Sequence, residues 1–119
     1  MFMVMYVLGD PDMLDCVLDA WEQVGITGVT ILESSGIREH RMRGQRARMR
    51  LPFGQIPLHP MSGSYTLMAI VADQDLANRC VSATEALVGD LRGPNTGVFA
   101  GWPLEMVRGL PKTWADDTP

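Results

Sequence analysis

Cysteine is scarce in this chain, with only Cys16 and Cys80 among its 119 residues. Two cysteines at this separation supply neither a disulfide framework nor a CxxC pair for metal or redox chemistry. Both fall in stretches that predict helices, where a thiol most often packs as a small apolar side chain. We therefore expect a reducing, cytoplasmic environment and two buried, unreactive thiols.

Long apolar runs are also absent from the sequence. The first apolar stretch covers residues 2–8, has no basic residue before it, and leads directly into Gly9-Asp10-Pro11. Such a stretch is too short to span a membrane and lacks the layout of a secretory signal. We expect a protein that is not inserted in a membrane.

No catalytic set of residues stands out. The sequence shows no Ser-His-Asp set, no paired carboxylates and no Cys-His pair at a specific spacing. His40 and His59 have only Glu39 close by as a further metal-ligating residue type, which disfavours a metal site. We predict a protein that is not an enzyme, with no catalytic residues, no metal and no required cofactor.

Positive charge is limited and uneven. The chain has 10 basic and 14 acidic residues, and six arginines lie in one short stretch: Arg38, Arg41, Arg43, Arg46, Arg48 and Arg50. Together with Glu39 they give that stretch a charge of +5, while the remaining four basic and 13 acidic residues give −9. A basic segment on an acidic body predicts an anionic ligand or partner. Nucleic acid is disfavoured because the body repels it and Phe53 is the only aromatic ring near the arginines.

Strand and helix patterns alternate along the chain. Predicted strands cover residues 2–8, 29–32, 64–72 and 98–100, and predicted helices follow the caps Asp10 and Asp73. The first helix presents an apolar stripe of Leu14, Val17, Leu18, Trp21 and Val24, and the second one of Leu76, Cys80, Val81, Thr84, Leu87 and Val88. Residues 37–63 show no sustained helical or strand periodicity of apolar residues, which predicts a loop. A loop of that length usually has a function.

This order predicts an α+β fold, a ferredoxin-like βαββαβ sandwich with a four-stranded antiparallel sheet. We expect one domain over residues 1–112, with the long basic loop at 37–63 and a tail at 113–119. The chain after Arg108 is expected to fray. Both faces of the strands are apolar, yet two helices cover only one face, so other subunits are expected to bury the second.

Several segments resemble the nitrogen regulatory PII family of signalling proteins. Val24-Gly-Ile-Thr-Gly-Val-Thr30 is similar to the family's VGI-x-GMT passage, and Glu33-Ser-Ser-Gly36 to its entry into the T-loop. Tyr65 to Asp73 resembles the third strand, and Val98-Phe99 the last strand. The resemblance implies a homotrimer that binds ATP or ADP in clefts between subunits. It also implies a T-loop that changes shape to engage a transporter or an enzyme.

The resemblance assigns roles to individual residues. Thr30 aligns with the adenine contact, Gly36, Ile37 and Arg38 with the base of the T-loop beside the nucleotide, Gly93 with the phosphate-binding loop, and Arg108 with a phosphate-gripping arginine. From the residues themselves, the glycine-rich turn 89–97 with Arg92 is suited to cradle an anion. Arg41, Arg43, Arg46, Arg48 and Arg50 are the candidate partner-binding residues, because arginine forks suit acidic surfaces.

The sequence departs from the family at several points. The phosphate-loop segment Gly93-Pro-Asn-Thr-Gly-Val-Phe99 is one residue longer than in the family and lacks its lysine. No tyrosine occurs in the loop, and His40 stands where the family has a glutamine that helps to hold magnesium and 2-oxoglutarate. The resemblance is therefore to an atypical PII-like protein. The alternatives are a small ferredoxin-like enzyme with the loop as a lid, or a PII-like sensor of bicarbonate, another anion or a metal.

Overall fold

Four strands and two α-helices follow one another in the predicted order. The computed structural model describes residues 1–34, 64–94 and 96–110. Its elements are β1 (Phe2–Leu8), a 3-10 helix (Pro11–Met13), α1 (Leu14–Gln23), β2 (Val29–Ser34), β3 (Ser64–Val71), α2 (Gln74–Val88) and β4 (Val98–Pro103). The predicted loop 37–63 and tail 113–119 lie outside the described residues.

The strands form one antiparallel sheet in the order β2-β3-β1-β4. The fold is therefore α+β, with a four-stranded antiparallel sheet and two helices, as the sequence predicts. This strand order is consistent with a ferredoxin-like sandwich. β4 runs to Pro103, beyond its predicted end at Ala100. A proline is tolerated there because β4 is an edge strand, where one side of the backbone needs no partner.

Aspartate caps begin both helical segments at the predicted positions. The Asp10 carboxylate accepts a hydrogen bond from the Asp12 N–H (3.0 Å) at the start of the 3-10 helix. The Asp73 carboxylate accepts one from the Leu76 N–H (2.8 Å) at the start of α2. These bonds satisfy N–H groups that have no partner inside the helix. The caps thus fix where each strand turns back towards the sheet as a helix.

The core lies between the two helices and one face of the sheet. Its strand residues alternate along β1 and β3: Val4, Tyr6, Leu8, Leu67, Ala69 and Val71. The helices contribute four buried residues that face these strand residues: Val17 and Trp21 from α1, and Cys80 and Thr84 from α2. The ring of Phe99 in β4 lies 6.2 Å from that of Trp21, measured between centroids. Because side chains alternate across a strand, the intervening residues point to the other face, which no described helix covers.

A buried hydrogen-bond chain joins the two helices. The Trp21 Nε1–H donates to Thr84 Oγ1 (2.9 Å), and the Thr84 hydroxyl donates to the Cys80 carbonyl (2.8 Å). Both side chains are fully buried, so their polar atoms depend on each other for partners. Burial also raises the pKa of the Cys80 thiol to about 12, which keeps it protonated and unreactive. Cys80 is therefore the buried, inert thiol that the sequence predicts.

Thr84→Val should destabilise the protein by about 1–3 kcal/mol. Valine keeps the volume of threonine but leaves the buried Trp21 Nε1–H without an acceptor, which costs the desolvation of that group. Urea unfolding followed by tryptophan fluorescence measures the change. Ser82→Ala, at an exposed position of the same helix, is the matched control and should be near neutral. A Thr84→Val protein as stable as the wild type would contradict the buried bond.

Two apolar or thiol side chains of the helices lie on the surface, and for one of them, Cys16, the predicted burial is wrong. Cys16 is exposed on α1, because the buried stripe of that helix runs through Val17 and Trp21 and position 16 faces away from it. Leu87 is 39% exposed. Its neighbour Val88 packs against the core, so Leu87 lies at the margin of the buried face of α2.

Candidate functional site

The sheet face opposite the helices is largely apolar, and we call it the open face. The strand register places on it Met3, Met5, Val7, Thr30, Leu32, Thr66, Met68, Ile70, Val98, Ala100 and Trp102. None of these side chains carries a charge. Apolar residues at both the odd and the even positions of β1 and β3 predict such a face. The register shows which residues form it.

The two edges of the open face are its most exposed parts. Leu32 on β2 is 49% exposed, and Val98 on β4 is 61% exposed. The residues that β1 and β3 contribute between them are half-buried. A monomeric protein rarely leaves so continuous an apolar surface in contact with water. The open face therefore has the character of an interface.

A pocket of about 340 Å³ opens on this face. Its wall consists of Met3, Thr27, Gly28, Thr30, Met68, Ala69, Ile70 and Leu110. Thr30, which the resemblance assigns to an adenine contact, is one of these lining residues. The hydroxyls of Thr27 and Thr30 are the polar side-chain groups of an otherwise apolar lining. Such a wall suits a flat, apolar group with a few polar atoms at its edge.

The chain turns towards this pocket after β4. In the C-terminal segment, residues 104–110, the Leu104 N–H donates to the Met1 carbonyl (2.9 Å), and Leu110 reaches the pocket wall. Most of the chain that is predicted to fray after Arg108 lies outside the described residues, so the fraying stays a prediction. Arg108 is exposed, and its Nη1 donates to the Val107 carbonyl (2.8 Å). The candidate phosphate-binding arginine thus lies two residues from the pocket.

The turn between α2 and β4 satisfies its own N–H groups. The Leu91 N–H donates to the Glu85 carboxylate (3.0 Å), the Arg92 N–H to the Asp90 carboxylate (2.9 Å), and the Gly93 N–H to the Asp90 carbonyl (2.8 Å). The hydrogen bond from the Arg92 N–H is the main reason that the pKa of Asp90 is lowered. An anion bound at these N–H groups would therefore have to displace bonds that the turn already makes.

The guanidinium of Arg92 remains accessible in this turn. Its Nε lies 3.3 Å from the Asp90 carboxylate, but the side chain is 91% exposed. An ion pair so exposed contributes little to stability, and another anion can easily replace Asp90 as the partner of Arg92. Of the two residues predicted in this turn, Arg92 therefore keeps a donor for an anion, whereas the Gly93 N–H is engaged.

The candidate residues fall at two edges of the sheet. Thr30 lies in β2, whereas Arg92 and Gly93 precede β4, with β3 and β1 between the two edges. At about 4.8 Å per strand spacing, the edges are roughly 14 Å apart. One chain thus brings Thr30 and the segment that carries Arg108 to one pocket. It leaves Arg92 and Gly93 at the far edge.

The two residues that flank the stretch 35–63, Ser34 and Ser64, lie side by side at the end of the sheet. Ser34 pairs with Ser64 where the β2–β3 ladder ends. The Ser34 hydroxyl donates to the Ser64 carbonyl (3.1 Å) and lies 2.9 Å from the Thr66 hydroxyl. Sequence reasoning missed this small polar cluster, for which the only signal is hydroxyl residues at two strand ends. The arginine-rich stretch is thus flanked in sequence by two residues that are hydrogen-bonded to each other.

All of the predicted partner-binding residues, and several predicted effector-binding residues, lie outside the described residues. This holds for Gly36, Ile37 and Arg38 at the predicted loop base, and for Arg41, Arg43, Arg46, Arg48 and Arg50. It also holds for His40 and His59. Within residues 1–34, 64–94 and 96–110, no three His, Cys, Asp or Glu side chains group as metal ligands. Over the same ranges, neither α-helix has the length and apolar character to cross a membrane.

Comparison with known proteins assigns no family. No protein-family model matches the chain, and no curated protein matches it in sequence. The resemblance to PII proteins thus stays a prediction from motifs.

Proposed function

We propose that this chain is an atypical PII-like signal-transduction protein. It forms a homotrimer on a ferredoxin-like sandwich, binds a small anionic effector in clefts between subunits, and regulates a partner protein through its basic segment. ATP or ADP is the first candidate effector, and a transporter or an enzyme the candidate partner. The observation that carries the proposal is the apolar open face, which a single chain leaves exposed.

Self-association is the simplest cover for this face. The face is uncharged over four strands, so a polar partner would have to desolvate its own groups without compensation. A second copy offers the same apolar surface, and closed symmetric assemblies are the rule among soluble oligomers. Burial of the exposed Leu32, Val98 and Trp102 side chains would add favourable hydrophobic free energy.

An assembly also supports a site between subunits. Thr30 and the C-terminal segment lie near one edge of the sheet, and Arg92 near the other. These edges can face each other only when two chains are neighbours. A cleft between copies would then combine an apolar pocket with arginine donors. That combination suits a nucleotide, which has a flat base and a charged phosphate chain.

The basic segment supports the partner-binding role. Its charge of +5 contrasts with the acidic remainder of the chain. The residues that flank the stretch, Ser34 and Ser64, pair at the end of the β2–β3 ladder. The same two strands carry the pocket wall residues Thr30 and Met68. A ligand that shifts β2 against β3 would therefore act directly on the base of the segment.

Two groups of arginines should respond differently to substitution. Arg38→Ala and Arg108→Ala should each weaken ADP binding at least tenfold, because each removes charge-assisted hydrogen bonds worth about 1.5–3 kcal/mol. Arg43→Ala and Arg46→Ala should leave ADP affinity nearly unchanged. These two should instead weaken binding to an acidic partner, and that loss should shrink at high salt.

Calorimetry with ATP and ADP on the four variants tests this separation. Equal losses of nucleotide affinity in both groups would mean that the whole segment contacts the effector.

A thermal-shift screen of adenine nucleotides, cyclic nucleotides, bicarbonate and 2-oxoglutarate tests the effector class. A ligand at 100 times its Kd should stabilise the fold by about 2.7 kcal/mol. Stabilisation by bicarbonate but by no nucleotide would replace the nucleotide with a small inorganic anion.

A further inference from the structure

The two outer strands of the sheet carry almost no charge. β2 and β4 lie at the ends of the strand order, and each is six residues long. Glu33 is the only charged residue in β2, and β4 has none. Natural proteins usually protect such edges with charged side chains, prolines or bulges, because an unprotected edge pairs readily with another strand. Here the protection is limited to Glu33 and to Pro103 at the end of β4.

The register shows which backbone groups of β4 point away from the sheet. The Leu104 N–H donates to the Met1 carbonyl, which makes these residues a hydrogen-bonded pair that continues the β1–β4 ladder. Hydrogen-bonded pairs alternate along an antiparallel ladder, so the even-numbered residues of β4 direct their N–H and C=O groups towards β1. The odd-numbered Phe99 and Gly101 therefore direct theirs outwards.

The same alternation extends across the sheet to β2. Because the odd-numbered residues of β1 bond to β4, its even-numbered residues bond to β3. By register these lie opposite odd-numbered residues of β3, so the even-numbered residues of β3 bond to β2. Their partners in β2 are also even-numbered. Val29, Ile31 and Glu33 therefore direct their backbone groups outwards.

The two edges match each other in direction and length. β2 runs opposite to β4, because β3 and β4 are both antiparallel to β1 and β2 is antiparallel to β3. A second copy that lies beside the first in the same orientation therefore brings its β2 antiparallel to β4. Full overlap of the two strands sets Phe99 opposite Glu33 of the neighbouring copy, and Gly101 opposite Ile31. This register joins the outward-facing residues of both edges to one another.

The side chains at the edges also suit this pairing. Ile31 is exposed on the helix side of its sheet, and Gly101 has no side chain, which leaves space for Ile31 across the junction. On the open face, the exposed Leu32 would lie beside the small Ala100. Each pair places a large apolar side chain next to a small residue. Such cross-strand pairs bury apolar surface and stabilise a sheet.

We propose that β4 of one copy pairs with β2 of the next, so that each copy adds an aromatic residue to its neighbour's pocket. This inference rests on the proposed function, because it assumes that copies of the chain associate. In the full-overlap register, Trp102 lies opposite Thr30 of the neighbouring copy, and both belong to the open face. Thr30 lines the pocket, and Trp102 is exposed in a single chain. The indole thus becomes a wall at the pocket edge, on which a planar ring can stack.

A second copy suits these edges better than a foreign strand. The junction joins unlike edges, so each added copy offers a new free edge until the assembly closes. Three copies, as in the proposed homotrimer, close the ring and leave no edge unpaired. With the open faces turned towards its axis, the ring also covers the apolar surface. A foreign strand would satisfy one edge and leave the open face in water.

Cysteine pairs across the junction test the pairing in the full chain. Ala100→Cys and Leu32→Cys are combined in one chain, with Cys16→Ser to remove the exposed native thiol. Within a chain, the two positions lie three strand spacings apart, about 14 Å, whereas a disulfide needs Cα atoms within roughly 7 Å. A disulfide between them therefore joins two copies. Oxidation in air should give a covalent trimer on a non-reducing denaturing gel.

Ala100→Cys with Ile31→Cys is the matched control, because it places the second thiol at the same edge but on the opposite face. It should not cross-link. Dimers from Ala100→Cys alone or Leu32→Cys alone would mean that like edges meet, which overturns the pairing. Cross-linking of both double variants, or of neither, in a protein that associates by sedimentation velocity overturns the pairing and leaves the proposed assembly standing. A chain that stays monomeric overturns both.

Trp102→Ala tests the aromatic wall. The Kd for ADP, measured by calorimetry, should rise about tenfold, because stacking on an aromatic ring contributes to the affinity for a base. Val98→Ala, on the same face of β4 but at its other end, should keep the wild-type affinity. Unchanged ADP affinity of Trp102→Ala, in a chain that cross-links, removes Trp102 from the pocket. A wild type that binds no adenine nucleotide overturns the proposed effector, and the cross-link still decides the pairing.

Discussion

Gly97→Ala should be the most damaging small substitution in the described part of the chain. Gly97 has a φ of +92, and a Cβ there would collide with the Val7 carbonyl oxygen and lie 2.9 Å from the Tyr6 ring. The unfavourable backbone conformation and the overpacking should together destabilise the protein by about 3–5 kcal/mol. Because total stabilities are about 5–15 kcal/mol, this change should remove a large fraction of the free energy of unfolding.

The close approach at Gly97 has a visible cause. The Tyr6 hydroxyl donates a hydrogen bond to the Thr96 carbonyl, which draws the turn onto the end of β1. Tyr6 is fully buried, and burial raises the pKa of its hydroxyl. The hydroxyl therefore remains a proton donor at physiological pH. The turn can lie this close only because position 97 has no side chain.

Two other glycines serve as controls for Gly97→Ala. Gly25 has a φ of +104, but a Cβ there would meet no atom within 4 Å. Gly25→Ala should therefore cost only the backbone term, about 1–2 kcal/mol. Gly9 has neither a positive φ nor a neighbour within 4 Å, and Gly9→Ala should be near neutral. Urea unfolding ranks the three, and equal losses for Gly97→Ala and Gly25→Ala would contradict the close approach to Val7.

Met68→Asp should abolish self-association while the chain stays folded. Met68 lies on the open face at the centre of the sheet, paired with Met5 and Thr30. In a single chain, a carboxylate at this half-buried position can reach water. In an assembly it would be an unpaired buried charge, so the dissociation constant should rise at least about a hundredfold. Sedimentation velocity measures the association, and far-UV circular dichroism reports whether the fold is kept.

Leu87→Asp is the matched control for Met68→Asp. It introduces the same charge at an apolar residue that is 39% exposed, but on α2, on the other side of the sheet. Assembly should persist in this variant. If Met68→Asp associates as strongly as the wild type, the open face is not the interface. A wild type that stays monomeric at micromolar concentration would remove the homotrimer from the proposal.

The fold was largely predictable because local signals and the core agree. Asp10 and Asp73 cap where the sequence predicts, and the apolar stripes of the helices bury Trp21 and Cys80. The prediction of two buried thiols failed at Cys16, which lies off the apolar stripe of α1. The general tendency of free cysteines to be buried misled there, although the helical stripe itself places position 16 away from the core.

The candidate site was less predictable because it depends on distant segments. Thr30 was singled out from its motif, and the structure adds the pocket that it lines. The sequence gives no sign of Leu110, since nothing in a stretch of glycine and proline signals that this residue lines a pocket with strand residues far away in sequence. Arg92 was predicted as an anion donor from its glycine-rich turn. The carboxylate of Asp90, two residues before it, engages the same guanidinium and could be found only from geometry.

The Ser34–Ser64 pair has a consequence for how this protein can change over evolutionary time. β2 ends at Ser34 and β3 begins at Ser64, and the two strands pair directly with each other from that point. Their register therefore does not depend on the sequence of the stretch 35–63. The entropy of closing a longer flexible connection rises slowly, by about 0.6 kcal/mol for each doubling of its length. Insertions, deletions and charge changes between these serines should therefore be tolerated by the fold. The partner choice that we propose for this stretch can then diverge among descendants of the chain while the sheet and its pocket are inherited intact.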